Sequence, residues 1–399
     1  MGDDSRTRAV RTNRAYDGGG RRALPRGAAT AGALAALLSA AALPPASAAP
    51  HGHGIQRAST AADGAQLTTA SRRGAVSADG RYVAYTTECG GVTRDCVQVK
   101  DLRTGAVEEV PVSGAETGSV MISPDARHVG YTQGVYHYFT AYVHDRRTGE
   151  VQRLWPAEPP TDTRYESSGL TGFSADGEEV AYTLGNRHDG SRHLFVRDLA
   201  TGAEEQIDPM DHPGWITGGR LSANGRYVAY GTQTGHVSSS ALYVKDRVTG
   251  ETRRFDTAPD GTPSDGSSDI VDISGDGRRV LFNSSATNLF PGEPSPARRQ
   301  AYVADLATGR IHRVGAAGAA AVSADGSGRF ALLRQEGALV LHDLRTGRQR
   351  TVAPAEASAT ADTDAVARHG RRVVFTSSAA DLVPDDTNGV SDVFVRRTR

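Results

Sequence analysis

The sequence predicts an all-β protein, a seven-bladed β-propeller with four antiparallel strands per blade and a ring closed by an N-terminal strand. Three observations support this prediction: a repeat of 44 to 52 residues, turn residues at fixed places in each repeat, and a last repeat that lacks its final strand. Repeats of about 40 to 50 residues built from short strands are typical of propellers. Apolar stripes at the helical period, which a helical solenoid would need, are absent from the sequence.

The repeat consists of two patterns that follow each other. The first is a serine, a turn and an apolar strand, as in Ser77-Ala-Asp-Gly-Arg-Tyr-Val-Ala-Tyr85, and the second is a strand with a Thr-Gly turn, as in Val99-Lys-Asp101-Leu-Arg-Thr-Gly105. Copies of the first pattern begin at Ser77, Ser123, Ser174, Ser222, Ser274, Ser323 (a degenerate copy) and Ala367. Glycine adopts the positive φ of tight hairpins at little steric cost. Each repeat is therefore predicted to form two hairpins, which supply four strands named a to d from the axis outward.

Ring closure is indicated by the two ends of the repeat region. The seventh repeat stops at residues 393–399, which match strand c of the other repeats. Ile55-Gln56-Arg57-Ala58 resembles d strands such as that of residues 311–314. We expect this segment to complete the seventh blade, since pairing removes an open sheet edge. Residues 55–399 are thus predicted to form one domain, although 399 residues could hold two or three.

Residues 1–48 carry the three parts of a signal peptide. Seven arginines lie within residues 6–26, an Ala/Leu run covers residues 28–43, and Ala46-Ser47-Ala48 provides small residues for cleavage. The run is shorter than the about 20 residues that a membrane-spanning helix needs. The alternative is a disordered arm on a cytoplasmic protein.

We predict cleavage after Ala48, which leaves residues 49–54 as a flexible N-terminal tail. Export by the Sec route is favoured over the twin-arginine route that Arg21-Arg22 suggests. The product is expected to be a secreted or cell-wall-associated monomer without a membrane span. With 45 basic and 46 acidic residues, the chain lacks the basic excess typical of nucleic-acid binders, so no nucleic-acid partner is expected.

The two repeated patterns together resemble the TolB-type, WD40-like propeller repeat. Residues 377–392 are similar to segments of secreted actinobacterial members of this group. The resemblance covers nearly all of the chain after the leader and implies a propeller fold and export, without implying a reaction. The Gly-His and Trp-Asp pairs of true WD40 blades do not recur in the repeats.

Candidate binding residues lie in the b–c and d–a connections, which are expected to share one face of the disc. These connections vary between repeats in length and chemistry, and variable loops on a rigid scaffold usually carry binding. The predicted ligand surface consists of Tyr136, His137, Tyr138, His188, His212 and Trp215. The alternative is that these side chains only pack the loops against the blades.

Two further sites are predicted. Cys89 and Cys96 are expected to form a disulfide, because an exported chain passes through an oxidising compartment. Oxygen ligands for calcium cluster in one loop of the seventh repeat, at Asp385, Asp386, Asn388 and Asp392. The Asn-Gly pair in that loop equally fits a simple turn, and no cofactor other than calcium is predicted.

Enzymatic signatures such as Gly-x-Ser-x-Gly, His-Glu-x-x-His and the P-loop are absent from the sequence. The main hypothesis is therefore a secreted binding module that presents its loop-rich face to a protein, peptide or cell-wall glycan, with no catalytic residue assigned. The alternative is a propeller enzyme, a lyase or glycoside hydrolase acting on extracellular polysaccharide, because loop residues can converge in space. Carboxylates or histidines converging at the loop-side mouth of the channel would favour the enzyme.

Overall fold

The computed structural model describes residues 54–89, 95–113, 116–135, 138–156, 165–186, 190–209, 215–233, 240–290 and 299–398. Within these residues, 27 strands form seven antiparallel sheets, and two 3-10 turns are the only helical elements. The predicted seven-bladed propeller is confirmed. None of the described helical elements is long and apolar enough to cross a membrane.

Six blades follow one another along the chain, each with four strands in the order a to d. Blade 1 contains β2 (Ser71–Val76), β3 (Tyr82–Glu88), β4 (Asp95–Asp101) and β5 (Val107–Val110). Blade 2 contains β6 (Glu116–Ile122), β7 (His128–Val135), β8 (Tyr138–Asp145) and β9 (Val151–Arg153). Blade 3 contains β10 (Tyr165–Phe173), β11 (Glu179–Asn186), β12 (Arg192–Asp198) and β13 (Glu204–Gln206).

The next three blades repeat this order. Blade 4 contains β14 (Trp215–Leu221), β15 (Tyr227–Gln233), β16 (Ser240–Asp246) and β17 (Thr252–Arg254). Blade 5 contains β18 (Ser268–Ile273), β19 (Arg279–Ser284), β20 (Gln300–Asp305) and β21 (Arg310–Arg313). Blade 6 contains β22 (Ala320–Ala324), β23 (Phe330–Gln335), β24 (Ala338–Asp343) and β25 (Gln349–Ala353). The 3-10 turns are Ala355–Ala357 and Arg368–Gly370.

Blade 7 joins the two ends of the described chain. Its strands b and c are β26 (Arg372–Ser377) and β27 (Asp392–Arg397), and its strand d is the N-terminal β1 (Ile55–Arg57). β1 pairs antiparallel with β27. The innermost strand is reduced to two bridges, Thr360 with Thr376 and Val366 with Val373. The N-terminal strand therefore closes the ring, as predicted.

One aspartate links the two hairpins of a blade. In blade 1, the Asp101 carboxylate pairs with the Arg81 guanidinium (Nη2–Oδ2 2.6 Å) and accepts a hydrogen bond from the Arg103 N–H at 2.9 Å. Arg81 follows the a–b turn, in which Ser77 Oγ donates to Asp79 Oδ1 at 2.6 Å. The same arginine–aspartate pair recurs as Arg127–Asp145, Arg226–Asp246 and Arg329–Asp343. The a–b and c–d turns therefore share one face, here called the turn face, and the other connections share the loop face.

The sixth repeat is placed differently from the sequence prediction, which starts it at Ser323. Asp325 N–H donates to Phe330 O at 3.1 Å, the bond that the serine makes in regular blades. Ser327 Oγ donates to Asp325 Oδ2 at 2.6 Å, so serine and aspartate have exchanged positions in this turn. The turn lies two residues later than predicted, because the exchanged pair makes the same hydrogen bonds.

The core lies between and within the blades and is built on aromatic pairs. The residue that ends the Val-Ala-Tyr pattern is fully buried in six blades, as Tyr85, Tyr131, Tyr182, Tyr230, Phe282 and Phe375. In five of these blades it stacks on an aromatic ring of strand c at a centroid distance of 5.6 Å: Tyr131–Tyr142, Tyr182–Phe195, Tyr230–Tyr243, Phe282–Tyr302 and Phe375–Phe394. Offset stacking of this kind adds to the burial of apolar area.

The closing strand is anchored by an ion-pair cluster, here called the latch. Arg57 on β1 faces two carboxylates of blade 7, with Nη2 at 3.1 Å from Asp386 Oδ1 and Nε at 3.3 Å from Asp392 Oδ2. The Asp392 side chain is completely buried and that of Asp386 is 5% exposed. Ser59 Oγ donates to Asp392 Oδ1 at 2.7 Å. The latch thus joins the N-terminal segment to the last blade by charge as well as by strand pairing.

We expect Arg57→Ala to lower the free energy of unfolding by about 3 to 5 kcal/mol, since it leaves buried carboxylates without their counter-ion. The matched control is Arg72→Ala, which removes an exposed ion pair to Glu88 at 2.7 Å and should cost less than about 1 kcal/mol. Urea unfolding followed by circular dichroism measures both. Equal losses in the two variants would contradict the role of the latch.

Three histidines make stability depend on pH. Burial lowers the pKa of His128, His144 and His342 below the ordinary value of 6.5, although nearby carboxylates oppose the shift. The Nδ1 atom of each is buried and has no hydrogen-bond partner within the described residues. Because unfolded histidine takes up a proton more readily, the stabilisation is complete above about pH 6.5 and is lost as the pH falls below it.

We therefore expect the free energy of unfolding to fall between pH 7.5 and pH 5.5, by at most about 1.4 kcal/mol per pH unit for each histidine. His128→Phe, which preserves the stacking on Phe173, should reduce this slope. His312→Phe changes an exposed histidine and should leave the slope as it is. A His128→Phe slope equal to that of the parent protein would contradict the assignment.

Candidate functional site

The a strands end on the turn face around a cavity of about 470 Å³ on the propeller axis, here called the axial cavity. Its wall takes one apolar side chain from each blade: Val76, Ile122, Phe173, Leu221, Ile273, Ala324 and Val366. Its rim takes the residue two positions later: Ala78, Pro124, Ala175, Ala223, Gly275, Gly326 and Arg368. The repeated a–b turn therefore places seven equivalent residues in the wall and seven in the rim of the axial cavity.

Backbone hydrogen bonds connect rim residues of neighbouring blades. The N–H groups donate to the next carbonyl around the ring: Ala78 to Pro124 (3.0 Å), Ala175 to Ala223 (3.0 Å), Ala223 to Gly275 (3.2 Å), Gly275 to Gly326 (2.9 Å) and Arg368 to Ala78 (2.8 Å). Pro124 has no N–H group and cannot extend the series to Ala175. These bonds hold the mouth of the axial cavity in one geometry.

Charged side chains stand beside the apolar wall. Asp272 and Asp364 line the axial cavity, and Arg220 lies near enough to act on both carboxylates; these three residues are here called the charged layer. Asp272 follows a β-bulge in β18, between Ile270 and Asp272. A bulge re-aims side chains and is common beside functional sites. Asp364 has a φ of 61°, and its carbonyl accepts a hydrogen bond from Val76 N–H at 2.9 Å.

The cavity shifts the titration of both aspartates. Burial raises the pKa of Asp272 to about 7, against the opposing charge of Arg220, and the carboxylates of Asp364 and Asp325 add to the rise. Burial likewise raises the pKa of Asp364, again opposed by Arg220. A carboxyl group with a pKa of about 7, as at Asp272, can exchange a proton near neutral pH, and both carboxyl groups can bind a cation once they are ionised.

A second cavity of about 290 Å³ is lined by residues further back along the a strands. Arg73 and Asp362 both line it, together with Ser119 and Val322. Burial raises the pKa of Asp362, and the charge of Arg73 opposes this rise. Ionisable groups therefore line both cavities, and the carboxylates of the axial cavity lie near the turn face.

The predicted ligand surface is only partly within the described residues, because Tyr136, His137, His188 and His212 lie outside them. Tyr138 on β8 is 49% exposed and stands opposite Val135, which is 56% exposed, at the end of the b–c hairpin of blade 2. Trp215 begins β14 of blade 4, with its ring beside Gly190 of the blade 3 loop. Both are on the loop face, two blades apart, and their binding role stays a prediction.

The predicted disulfide is present in the structure. Cys89 and Cys96 are bonded, with their Cα atoms 5.7 Å apart. The bond joins the end of β3 to β4 in blade 1, across the b–c connection on the loop face.

Three of the four predicted calcium ligands, Asp386, Asn388 and Asp392, belong to the latch or contact it. Asp386 and Asp392 face Arg57, and Asn388 Nδ2 donates to Asp392 Oδ2 at 3.0 Å and to Leu67 O at 2.9 Å. Asp385, the fourth predicted ligand, has a φ of 61°. In the part of the chain that the structure describes, no group of three or more His, Cys, Asp or Glu side chains is arranged to hold a metal ion. Calcium binding by this loop stays a prediction.

Sequence reasoning missed the charged layer. Arg220, Asp272 and Asp364 belong to three different repeats and to no motif. The available signal was a charged residue in an inner strand, one or two positions before an apolar wall residue. Such a residue in a strand at the axis of a propeller must face the channel or remain buried.

No protein-family model matches the sequence, and no curated protein matches it. Among solved structures, the chain is similar to oligogalacturonate lyase from Vibrio parahaemolyticus, with 13% identity, 86% of this chain and 93% of that chain covered, and a TM-score of 0.62. It is similar to the β-propeller domain of the Trilobed protease from Pyrococcus furiosus, described as having an open velcro topology, with 13% identity, coverage of 83% and 96%, and a TM-score of 0.55. A TolB-like protein from Agrobacterium tumefaciens matches with 17% identity, coverage of 62% and 81%, and a TM-score of 0.43. At these identities the likeness shows the propeller fold alone.

Calcium at the predicted loop would have to compete with the Arg57 guanidinium. We therefore expect 1 mM CaCl2 to raise the melting temperature of Arg57→Ala more than that of the parent protein, as measured by differential scanning calorimetry. Adding Asp392→Asn to Arg57→Ala removes a ligand and should abolish the difference. Equal shifts in all three proteins would contradict calcium binding at this loop.

Proposed function

We propose that the protein is an exported binding module that holds a small ligand, or a protruding group of a larger one, in the axial cavity. The observation that carries this proposal is the cavity itself. Its volume of about 470 Å³ falls within the about 300 to 1,000 Å³ of typical ligand sites. An apolar wall with a few charged groups is the usual composition of such sites. The loop face remains a candidate surface for a macromolecular partner.

The rim and wall support binding because they are already in place. Rim residues are tied to the next blade by backbone hydrogen bonds, and wall residues such as Ile122 and Ile273 are buried. A preformed site spends little binding energy on ordering loops or side chains. The proposal includes export under the leader of residues 1–48, and the Cys89–Cys96 disulfide suits an oxidising compartment.

The second candidate is an enzyme that acts on a polysaccharide, as a lyase or a glycoside hydrolase. The observation in its favour is the Asp272 carboxyl, whose pKa of about 7 suits general acid or base catalysis. The Vibrio neighbour is named for an acidic oligosaccharide substrate. Two carboxyl groups against the single Arg220 disfavour an anionic substrate in the axial cavity, so a neutral sugar would fit this candidate better.

A fragment library screened by saturation-transfer NMR should give hits that depend on the axial cavity. Ala175→Trp puts a large side chain at the rim without altering a charge, and it should remove these hits because the mouth is blocked. Ala307→Trp, at an exposed c–d turn, is the matched control and should retain them. Circular dichroism melting checks that both variants are folded.

Fragment hits that persist in folded Ala175→Trp, or a screen without hits, would contradict binding in the axial cavity. Turnover of a neutral polysaccharide that is lost in Asp272→Asn would favour the enzyme over the binding module.

A further inference from the structure

We infer that the axial cavity takes a cation on an apolar stem, a protonated amine or a guanidinium, whose head contacts the carboxylates of Asp272 and Asp364. This inference rests on the proposed function, because it names the ligand class of the same cavity. Asp272 and Asp364 belong to no sequence motif, and the inference gives them the role of selecting a cationic ligand.

Carboxylates outnumber cations in the axial cavity. Four carboxylates line the axial cavity, those of Asp272, Asp276, Asp325 and Asp364. Asp325 is satisfied by its own blade, since it accepts hydrogen bonds from Ser327 Oγ (2.6 Å) and Phe330 N–H (3.2 Å). Asp276 is 60% exposed at the mouth. Asp272 and Asp364 therefore remain in the cavity, with Arg220 as the cation that acts on both.

The Asp364 carboxylate has no hydrogen-bond donor among the described residues. Its side chain is half-buried and lines the axial cavity, and it accepts no hydrogen bond from any residue that the structure describes. Arg220 does not supply one: its Nε donates to Val271 O at 3.1 Å and its Nη1 to Gly219 O at 3.0 Å. A carboxylate that is partly withdrawn from water and has no protein donor is costly. A ligand ammonium or guanidinium would provide both the donor and the charge.

The apolar wall suits a ligand with an apolar stem. Seven aliphatic or aromatic side chains, one from each blade, form the wall. Along the chain each wall residue comes after the charged-layer position and before the rim residue, as in Asp272, Ile273 and Gly275. A ligand that reaches Asp364 from the mouth must pass this ring. Methylene stems of lysine and arginine pack on apolar surfaces while their heads stay polar. The wall therefore favours a flexible apolar stem and disfavours a compact, hydrated inorganic cation.

The charged layer also makes binding depend on pH. Burial raises the pKa of Asp272 to about 7 in the empty cavity, opposed by Arg220 and reinforced by Asp364 and Asp325. A bound cation stabilises the ionised carboxylate, so binding below pH 7 must release a proton and weakens as the pH falls. The other charged groups that face the cavity are at its mouth: Asp276, Arg368 and His369.

Isothermal titration calorimetry at pH 8 tests the ligand class with defined probes. Cadaverine and agmatine should bind at least about tenfold more tightly than pentan-1-ol, because only they bring a cationic donor, and glutarate should give no binding heat. Nα-acetyl-lysine amide represents a basic peptide side chain, and tighter binding than cadaverine would identify a peptide as the source. At pH 6 the affinity for the amines should be about tenfold lower, since Asp272 is then mostly protonated.

Asp364→Asn should weaken cadaverine binding at least about tenfold while leaving the fold intact, because asparagine tolerates the positive φ at this position. Asp260→Asn, at an exposed turn away from the cavity, is the matched control and should bind as the parent protein does. His369→Gln should keep the pH dependence, which excludes the imidazole at the mouth as its cause. Circular dichroism melting establishes that each variant is folded.

The inference is overturned when pentan-1-ol binds as tightly as cadaverine, or when folded Asp364→Asn binds cadaverine like the parent protein. In either case, fragment hits that Ala175→Trp removes would still support the proposed function. An absence of both amine binding and Ala175-dependent hits would instead overturn the proposed function and the inference together.

Discussion

The architecture depends on one carboxylate in each of blades 1, 2, 4 and 6, which joins the blade's two hairpins. In blade 4, Asp246 pairs with Arg226 at 2.6 Å and also accepts a hydrogen bond from Val248 N–H, at 3.0 Å. The guanidinium and these N–H groups lower the pKa of Asp246 to about 2, so the link is ionised at ordinary pH. In blade 3 the arginine position holds Glu178, which pairs with Arg127 of blade 2 at 3.1 Å. The residue at this position therefore links the two hairpins of one blade in blade 4, and it links two neighbouring blades in blade 3.

Because the a–b turns all lie on the turn face, the ends of the innermost strands meet at the propeller axis. Each of the six a strands ends at its a–b turn, so these strand ends and the bridged segment of blade 7 meet around the axial cavity and contribute equivalent residues. Six of the wall positions are Val, Ile, Leu or Phe, and the seventh is Ala324. The charge of the axial cavity then comes from the few positions at which the blades differ, which are Arg220, Asp272 and Asp364. A symmetric scaffold thus carries an asymmetric site.

Turn chemistry made most of the fold predictable. The Asp-Gly and Thr-Gly turns mark both hairpins because glycine accepts a positive φ, as at Gly80 (75°) and Gly105 (80°). Prediction failed in detail at the sixth repeat, where Ser323-Ala-Asp325-Gly and Asp325-Gly-Ser327-Gly both resemble the pattern. The local sequence alone does not show which of the two overlapping turns forms. The choice follows from the pairing of β22 with β23, which places Asp325 N–H against Phe330 O.

The sequence by itself determined the number of blades, the hairpins within them, the N-terminal strand that closes the ring, and the Cys89–Cys96 bond, because each depends on residues near one another or on a repeated pattern. Only the tertiary structure decided which side chains share the axis. Asp272 and Asp364 come from blades 5 and 7, and closure of the ring brings them to one cavity. Their raised pKa values arise from enclosure by the other blades, a property that no segment of the sequence carries alone.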